Sequence, residues 1–67
     1  MKYTLYVTRF EGGYAQELGT IGYDGNISTD YENFMFFNTR DEAEYYWNKH
    51  KSEFAGDCTA VICENKE

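Results

Sequence analysis

The sequence contains no proline, only two cysteines and one histidine, and half as many basic residues (6) as acidic ones (12). Without proline, no proline-marked linker divides the 67 residues, which suffice for one small domain over residues 1–67. Two cysteines are too few for a secreted disulfide scaffold, and no apolar run resembles a signal peptide or a membrane span. We therefore expect one cytoplasmic, intracellular domain with reduced thiols and no membrane partner.

The charge balance narrows the class of partner. The net charge is −6 and the isoelectric point is near 4.6. A field of this sign repels nucleic-acid phosphates and anionic membranes, and it attracts basic protein surfaces. We expect no direct binding of nucleic acid, and a protein partner with a basic surface.

Aromatic residues are abundant: 7 Tyr, 5 Phe and 1 Trp. Each ring can bury roughly 150–250 Å², so aromatic packing is expected to be the main stabiliser of so short a chain. Tyrosines in excess of what the core can hold should lie half exposed, with the phenol in contact with water.

The first third of the chain predicts a β-hairpin. Residues 2–10 alternate between apolar and polar side chains, which is typical of a strand. Residues 11–13 end in two glycines that suit a tight turn, and residues 14–23 form the returning strand. The apolar alternation slips within this second strand, so we expect a β-bulge at Gly19 or Gly22.

Three shorter segments follow the second turn signal at residues 24–26. Residues 27–33 are polar and are compatible with a short strand or an irregular connection. Residues 34–37 (FMFF) form an apolar run that predicts a strand covered on both faces. Residues 58–64 (CTAVICE) carry apolar side chains on both parities, which predicts a strand in the interior of the sheet. We expect Lys66 and Glu67 to fray.

One helix is predicted between the last two strands. Thr39 followed by Glu42 is the capping box of a helix start, and Gly56 suits a left-handed helix end. One stripe of the helix is amphipathic or apolar and consists of Ala43, Tyr46, Trp47, His50 and Phe54.

The predicted fold class is therefore α+β. The element order is β-β-(β)-β-α-β, with a small, mainly antiparallel sheet of three or four strands and the helix packed on one face. The other face has only Tyr and Thr side chains to cover it. We expect a partner to bind that face or an edge of the sheet.

No catalytic or cofactor-binding pattern is present. His50 lies in the helix stripe, where a half-buried packing role is favoured over that of a general base. Gly19 and Gly22 lie within a strand, so they lack the strand–loop–helix context of a dinucleotide-binding motif. We expect a protein that is not an enzyme and that needs no cofactor.

No metal site is expected either. Cys58 and Cys63 are five residues apart on one strand and point to opposite faces, which disfavours both a shared zinc ion and a disulfide between them. The oxygen-bearing side chains from Asp24 to Asp30 resemble the start of a calcium loop, but its sixth and twelfth positions are Thr29 and Met35 instead of Gly and Glu.

The segment FNTRDEAEYYW over residues 37–47, the small size, the acidity and the absence of proline resemble small acidic phage-encoded proteins that inhibit host enzymes or defence systems. The resemblance implies an inhibitor in the host cytoplasm whose acidic surface imitates nucleic acid on a basic groove. It is a resemblance in kind, and no family-specific motif transfers a functional residue to this chain.

The sequence predicts a non-enzymatic protein-binding module that acts through an acidic or Tyr-rich surface. An inhibitor of the kind described above is one form that this module could take. An alternative is a structural or accessory domain that forms a homo-oligomer through its sheet edge. The acidic residues also suit a purely solubilising role. The candidate binding residues are Asp24, Asp30, Glu32, Asp41, Glu42, Glu44 and Tyr6.

Overall fold

The computed structural model of the protein describes residues 2–65. Within them, four antiparallel strands form one sheet in the order β3-β2-β1-β4, and a single α-helix packs on it. The elements are β1 (Lys2–Glu11), β2 (Tyr14–Ile21), β3 (Ile27–Ser28), α1 (Arg40–His50) and β4 (Asp57–Asn65). The predicted α+β class, with one helix on one face of an antiparallel sheet, is confirmed. The expected fraying of residues 66 and 67 lies outside the described residues.

The core lies between the sheet and α1. Its five buried apolar side chains are Leu5, Val7, Ile21, Phe37 and Ala43. The predicted alternation in β1 is the reason for this arrangement, since every second side chain of a strand points to the same face. Partly buried aromatic side chains of α1 enlarge this core.

A β-bulge in the β1–β2 hairpin confirms the predicted slip in alternation. Val7 is opposite Gly19 and Thr8 is opposite Glu17, so Leu18 is the extra residue. Gly19 has φ of +134°, which glycine adopts without strain. The bulge returns the apolar side chains that follow it to the core face.

The predicted extension of the second strand to Tyr23 is wrong, because β2 ends at Ile21. The backbone of Gly22 turns away to close the next loop, and its N–H donates to the Asn26 carbonyl at 2.7 Å. The Asp24 carboxylate accepts the Asn26 N–H at 3.1 Å, which confirms a turn at residues 24–26.

The segment over residues 27–33 contains both of the structures that its sequence allows. Two residues form β3, and a 3₁₀ turn follows at Tyr31–Asn33. Asp30 caps this turn, because its carboxylate accepts the Glu32 N–H at 3.1 Å.

The prediction of a strand over residues 34–37 is wrong. Phe34 forms an isolated bridge with Gly22, and Phe37 forms another with Tyr3. β4 occupies one edge of β1, and β2 occupies the other from Tyr6 onward, so this segment bonds only to the start of β1 and to the residues around the end of β2. The segment was also predicted to contribute to the core, and Phe37, which is 8% exposed, does so.

The helix begins where its capping signal predicts. The Thr39 hydroxyl accepts the Glu42 N–H at 3.1 Å. The helix ends earlier than predicted, at His50, and a 3₁₀ turn follows at Lys51–Glu53. Gly56 has the expected positive φ of 86°, but it lies in the loop beyond that turn and does not end α1.

The prediction that the last strand lies inside the sheet is wrong, because β4 is an edge strand that pairs only with β1. Its apolar side chains on both parities have different surroundings. Ala60 and Ile62 pack against the core, whereas Val61 on the other face is 60% exposed.

We predict that Trp47→Ala lowers the free energy of unfolding by about 3 kcal/mol, because the indole packs on the core and on Phe54, with ring centroids 5.5 Å apart. Chemical denaturation monitored by circular dichroism measures the change. Asn48→Ala, at an exposed neighbouring position, is the control and should change stability by less than about 0.5 kcal/mol. Equal stabilities would show that the helix does not depend on this contact.

Gly19→Ala should destabilise the protein by about 1–3 kcal/mol. A Cβ at this position would lie 2.9 Å from Ile27 Cγ2. The alanine would also have to adopt φ of +134°, which L residues rarely do. Gly12→Ala is the control for positive φ alone, since a Cβ there meets no atom within 4 Å. If both variants unfold at the same denaturant concentration, the close approach to Ile27 has no energetic weight.

Candidate protein-binding surface

The sheet has a second face, which points away from α1. Residues that are directly opposite each other on antiparallel strands share a face, so the register assigns the side chains. Thr4, Tyr6, Thr8 and Phe10 of β1 lie on this second face, between their partners in β2 and β4.

One end of the second face is closed by an aromatic cluster. The ring of Tyr31 lies 5.6 Å from those of Phe34 and Phe36, measured between centroids. Phe34 is opposite Gly22, which alternation places on the second face. At this end Thr4 and Thr20 are only 4% and 7% exposed.

The other end of the second face is uncovered. We define the open patch as Tyr6, Thr8, Phe10, Glu17, Thr59 and Val61. Phe10 is 47% and Val61 60% exposed, and Tyr6, which is directly opposite Val61, is half-buried. The open patch therefore exposes two apolar side chains, Phe10 and Val61, on a surface carried by three adjacent strands.

Tyr6 and Glu17 form the polar centre of the open patch. The Tyr6 phenol and the Glu17 carboxylate interact across the two strands. Partial burial, and then the charge of Glu17 and its hydrogen bonding with the phenol, raise the pKa of Tyr6 above its usual value. Tyr6 is the one candidate residue from the sequence that lies in this patch.

The patch contains no cation. Lys2 lies on the same face at the far end of β1, and its ammonium donates to Asn38 Oδ1 at 2.7 Å. Stacking surfaces for nucleic acid combine aromatic rings with Lys or Arg that contact phosphates. The open patch has the rings and a carboxylate instead.

Only one of the seven tyrosines, Tyr6, belongs to the open patch, so this part of the sheet face is less Tyr-rich than expected. Tyr14, Tyr23, Tyr31 and Tyr45 are 80%, 69%, 58% and 70% exposed. They lie in the hairpin, in the loop before the 3₁₀ turn, in that turn, and on α1. The tyrosines are dispersed, and the patch owes its apolar character to Phe10 and Val61.

The candidate acidic residues of the loop have local roles. Asp24 holds the turn at residues 24–26, and Asp30 caps the 3₁₀ turn. Glu32 is exposed within that turn. Two of these three carboxylates thus accept backbone hydrogen bonds inside the loop.

The other candidate acids lie at the start of α1. Asp41, Glu42 and Glu44 are exposed, and the first two are in the first helical turn. Carboxylates at this position stabilise a helix through its dipole. They belong to a different element from the open patch, so the structure does not gather the predicted residues into one site.

Tyr46, His50 and Glu53 form a small cluster at the end of α1. The His50 Nδ1 lies 2.7 Å from Glu53 Oε2, and the rings of Tyr46 and His50 have centroids 4.3 Å apart. Partial burial, with added effects of Glu53 and Asp24, raises the pKa of Tyr46. The half-buried packing role predicted for His50 is confirmed. Sequence reasoning missed its pairing with Glu53, although the spacing of three residues brings such side chains together on a helix.

A shallow cavity of about 210 Å³ lies at the end of the sheet nearest the hairpin turn and is lined by Arg9, Phe10, Glu11, Ala55 and Gly56. The Arg9 Nε is buried and has no hydrogen-bond partner among the described residues. Sequence reasoning did not select Arg9, although its parity with Val7 puts it on the core face of β1. The lining offers one guanidinium and one carboxylate but no nucleophile.

The two cysteines lie on opposite faces of β4, as predicted. Cys58 Sγ lies 3.5 Å from the Ala55 carbonyl oxygen, and Cys63 Sγ lies 3.9 Å from that of Val61. Among residues 2–65, no three His, Cys, Asp or Glu side chains are grouped so that they could hold a metal ion.

Comparisons with known proteins returned no relative: no family model, curated protein or solved structure matched the chain. In the part of the chain that the structure describes, no helix is long and apolar enough to span a membrane. The function must therefore be inferred from the surface itself.

The raised pKa values of Tyr6 and Tyr46 predict alkaline destabilisation. Because both pKa values lie above 10.0 in the folded protein, the associated stabilisation is complete below about pH 10 and is lost as the pH rises through the raised values. Thermal unfolding between pH 9 and 11 should show a falling melting temperature. The loss should be smaller in the double variant Tyr6→Phe/Tyr46→Phe, whereas Tyr45→Phe should follow the parent. An unchanged pH dependence in the double variant would contradict this assignment.

Proposed function

We propose that the protein is a non-enzymatic protein-binding module that binds its partner through the open patch. The observation that carries the proposal is the exposure of Phe10 and Val61 on a sheet face that no other described element covers. An exposed apolar patch with a polar rim is typical of protein interaction sites. β1, the middle strand beneath the patch, is paired on both sides, so this part of the surface is ordered before binding.

The chemistry of the patch specifies the kind of partner. An apolar side chain would pack between Phe10 and Val61, and a Lys or Arg beside it would meet the Glu17 carboxylate. The net charge of −6 would speed the approach of such a basic surface. We therefore propose a protein partner that presents apolar and basic groups together.

The resemblance to phage-encoded inhibitors extends this proposal to a biological role. An acidic module that covers a basic surface of a host enzyme in the cytoplasm would block the substrates of that enzyme. A chain with only two cysteines does not form a disulfide scaffold of the secreted kind, which is compatible with a cytoplasmic location. In this proposal the acids of the loop and of the helix start steer the approach, whereas the open patch supplies the contact.

Imitation of a nucleic-acid backbone by the acids alone is less well supported. A duplex presents one charge per about 1.7 Å of axis. Asp24 and Asp30 already hold backbone groups of their own loop, and the helical acids project around a cylinder instead of along a line. A continuous row of free carboxylates does not result.

The test compares surface variants on one captured partner. The tagged parent is used to isolate a partner from a host lysate, and its affinity is then measured by calorimetry for each variant. Phe10→Ser and Glu17→Lys should each weaken binding at least about tenfold, as loss of an interface anchor does. The matched control Tyr45→Ser, which alters an exposed ring on α1, should retain the parental affinity, and Asp41→Lys, which reverses a steering charge outside the patch, should weaken binding less than Glu17→Lys does.

The salt dependence of binding and competition by DNA distinguish binding through the open patch from binding through the acidic residues. Binding through the open patch should persist as salt rises, with a slower association rate, and should survive excess DNA. If Asp41→Lys abolishes binding, if Phe10→Ser has no effect, or if DNA displaces the partner, the acidic surface is the binding site and the proposal fails.

A further inference from the structure

The free edge of β4 is unusual for an exposed strand. Natural proteins protect sheet edges with short strands, proline, lysine or bulges. The opposite edge, β3, follows this rule because it has only two residues. β4 has nine residues, DCTAVICEN, without proline, glycine or lysine, and its register with β1 is continuous.

The sequence of β4 is also that of an interior strand, with apolar side chains on both parities. In the single chain, only one side of β4 is paired. A strand that pairs with a second strand along its free edge would occupy the interior position that its composition predicts. We propose that β4 pairs antiparallel with β4 of a second copy of the chain, with the two-fold axis at Val61.

The hydrogen bonds within the sheet show which backbone groups are available. Tyr3 exchanges both of its backbone hydrogen bonds with Phe37, at 2.9 and 2.8 Å, on the side of β1 away from β4. In an antiparallel strand, the backbone groups of successive residues point to alternate sides. Thr4, Tyr6 and Thr8 therefore bond to β4.

Their partners Cys63, Val61 and Thr59 direct their backbone groups toward β1. The residues between them direct their N–H and C=O groups outward. These residues are Cys58, Ala60, Ile62 and Glu64.

The register centred on Val61 pairs all of these groups. Cys58 then lies opposite Glu64 of the second copy, and Ala60 lies opposite Ile62 of the second copy. Each such pair exchanges two hydrogen bonds, and the symmetry repeats both pairs. The axis could also lie at Ala60 or at Ile62, and the corresponding faces of the two sheets would still be continuous. In each of these registers, however, one outward-pointing residue of each copy would lack a hydrogen-bonding partner in the other copy.

The same register is acceptable for the side chains. Asp57 faces Asn65 of the second copy and Glu64 faces Cys58, so no two like charges are directly opposite. Each Val61, 60% exposed in the single chain, would lie against its symmetry mate. The second faces of the two sheets would join, with Tyr6 and Val61 of both copies in one row across the strands.

Opposing this pairing is the net charge of −6 on each copy. Repulsion between the copies is screened by salt, with a Debye length of about 8 Å at physiological ionic strength. The dimer should therefore become tighter as salt is raised. This dependence is opposite to that of a contact between the acidic chain and a basic partner.

The first test is the molar mass in solution, measured by analytical ultracentrifugation from micromolar to millimolar concentration in reducing buffer at two salt concentrations. The parent should shift from monomer to dimer as concentration rises, and at lower concentration in high salt. Val61→Lys should weaken the dimer about fivefold, because it places two lysines directly opposite each other. Val61→Thr is the matched β-branched control and should dimerise more tightly than Val61→Lys.

The second test reads the register by disulfide formation in a glutathione buffer. In a cysteine-free background (Cys58→Ala/Cys63→Ala), Val61→Cys should form a covalent dimer, because residues facing each other at the axis have Cα atoms within disulfide range. Thr59→Cys should form a covalent dimer only when Cys63 is retained, since Thr59 faces Cys63 of the second copy. Alone, two Thr59→Cys thiols would be separated by about 13 Å along the strands.

Several results would overturn the proposal: a monomer at all concentrations, equal dimerisation of Val61→Lys and Val61→Thr, or equal cross-linking of every cysteine variant. Val61 and Thr59 belong also to the open patch, but the mass and cross-linking of the chain are measured without any partner and therefore do not depend on the proposed function. Loss of partner binding in Phe10→Ser tests the function alone, because Phe10 lies on β1 and has no place in the paired edge. A chain that dimerises as described but binds no partner would refute the function and leave this inference intact.

Discussion

The two-sided pairing of β1 is the constraint on which the rest of the structure depends. β1 bonds to β2 on one side and to β4 on the other over most of its length. Its core-facing side chains Leu5 and Val7 are 1% and 0% exposed, and they form the floor against which α1 packs. Because β4 and β2 occupy most of the two edges of β1, the segment over residues 34–37 bonds only to the start of β1 and to the residues around the end of β2.

This pairing also creates the unequal faces of the sheet. An eleven-residue helix covers one face, and the aromatic cluster around Tyr31 closes one end of the other. No further element among residues 2–65 covers the remainder. Phe10 and Val61 are therefore exposed as a consequence of this topology, which also leaves β4 unpaired on its outer side within the described residues.

The features that the sequence predicted correctly depend on local interactions. Thr39 caps α1 through a hydrogen bond to a residue three positions away, and the bulge at Gly19 follows from the alternation of its own strand. The features that were wrong depend on distant partners. The exclusion of residues 34–37 from the regular sheet follows from pairing elsewhere. The binding surface was predicted only in part, since Tyr6 lies in it but Phe10 and Val61 were not selected.

The most informative disagreement concerns β4. Local pattern and global position usually agree in natural proteins, and places where they conflict tend to be functional. The apolar residues of β4 on the α1 side pack against the core. Val61 on the other face therefore completes the apolar pattern on both parities that predicted an interior strand. Val61 is 60% exposed in the single chain, and covering it, either across the open patch or along the free edge, would stabilise the covered state. Of these two arrangements, only pairing along the free edge would also replace water by protein partners at the outward backbone groups of the neighbouring residues.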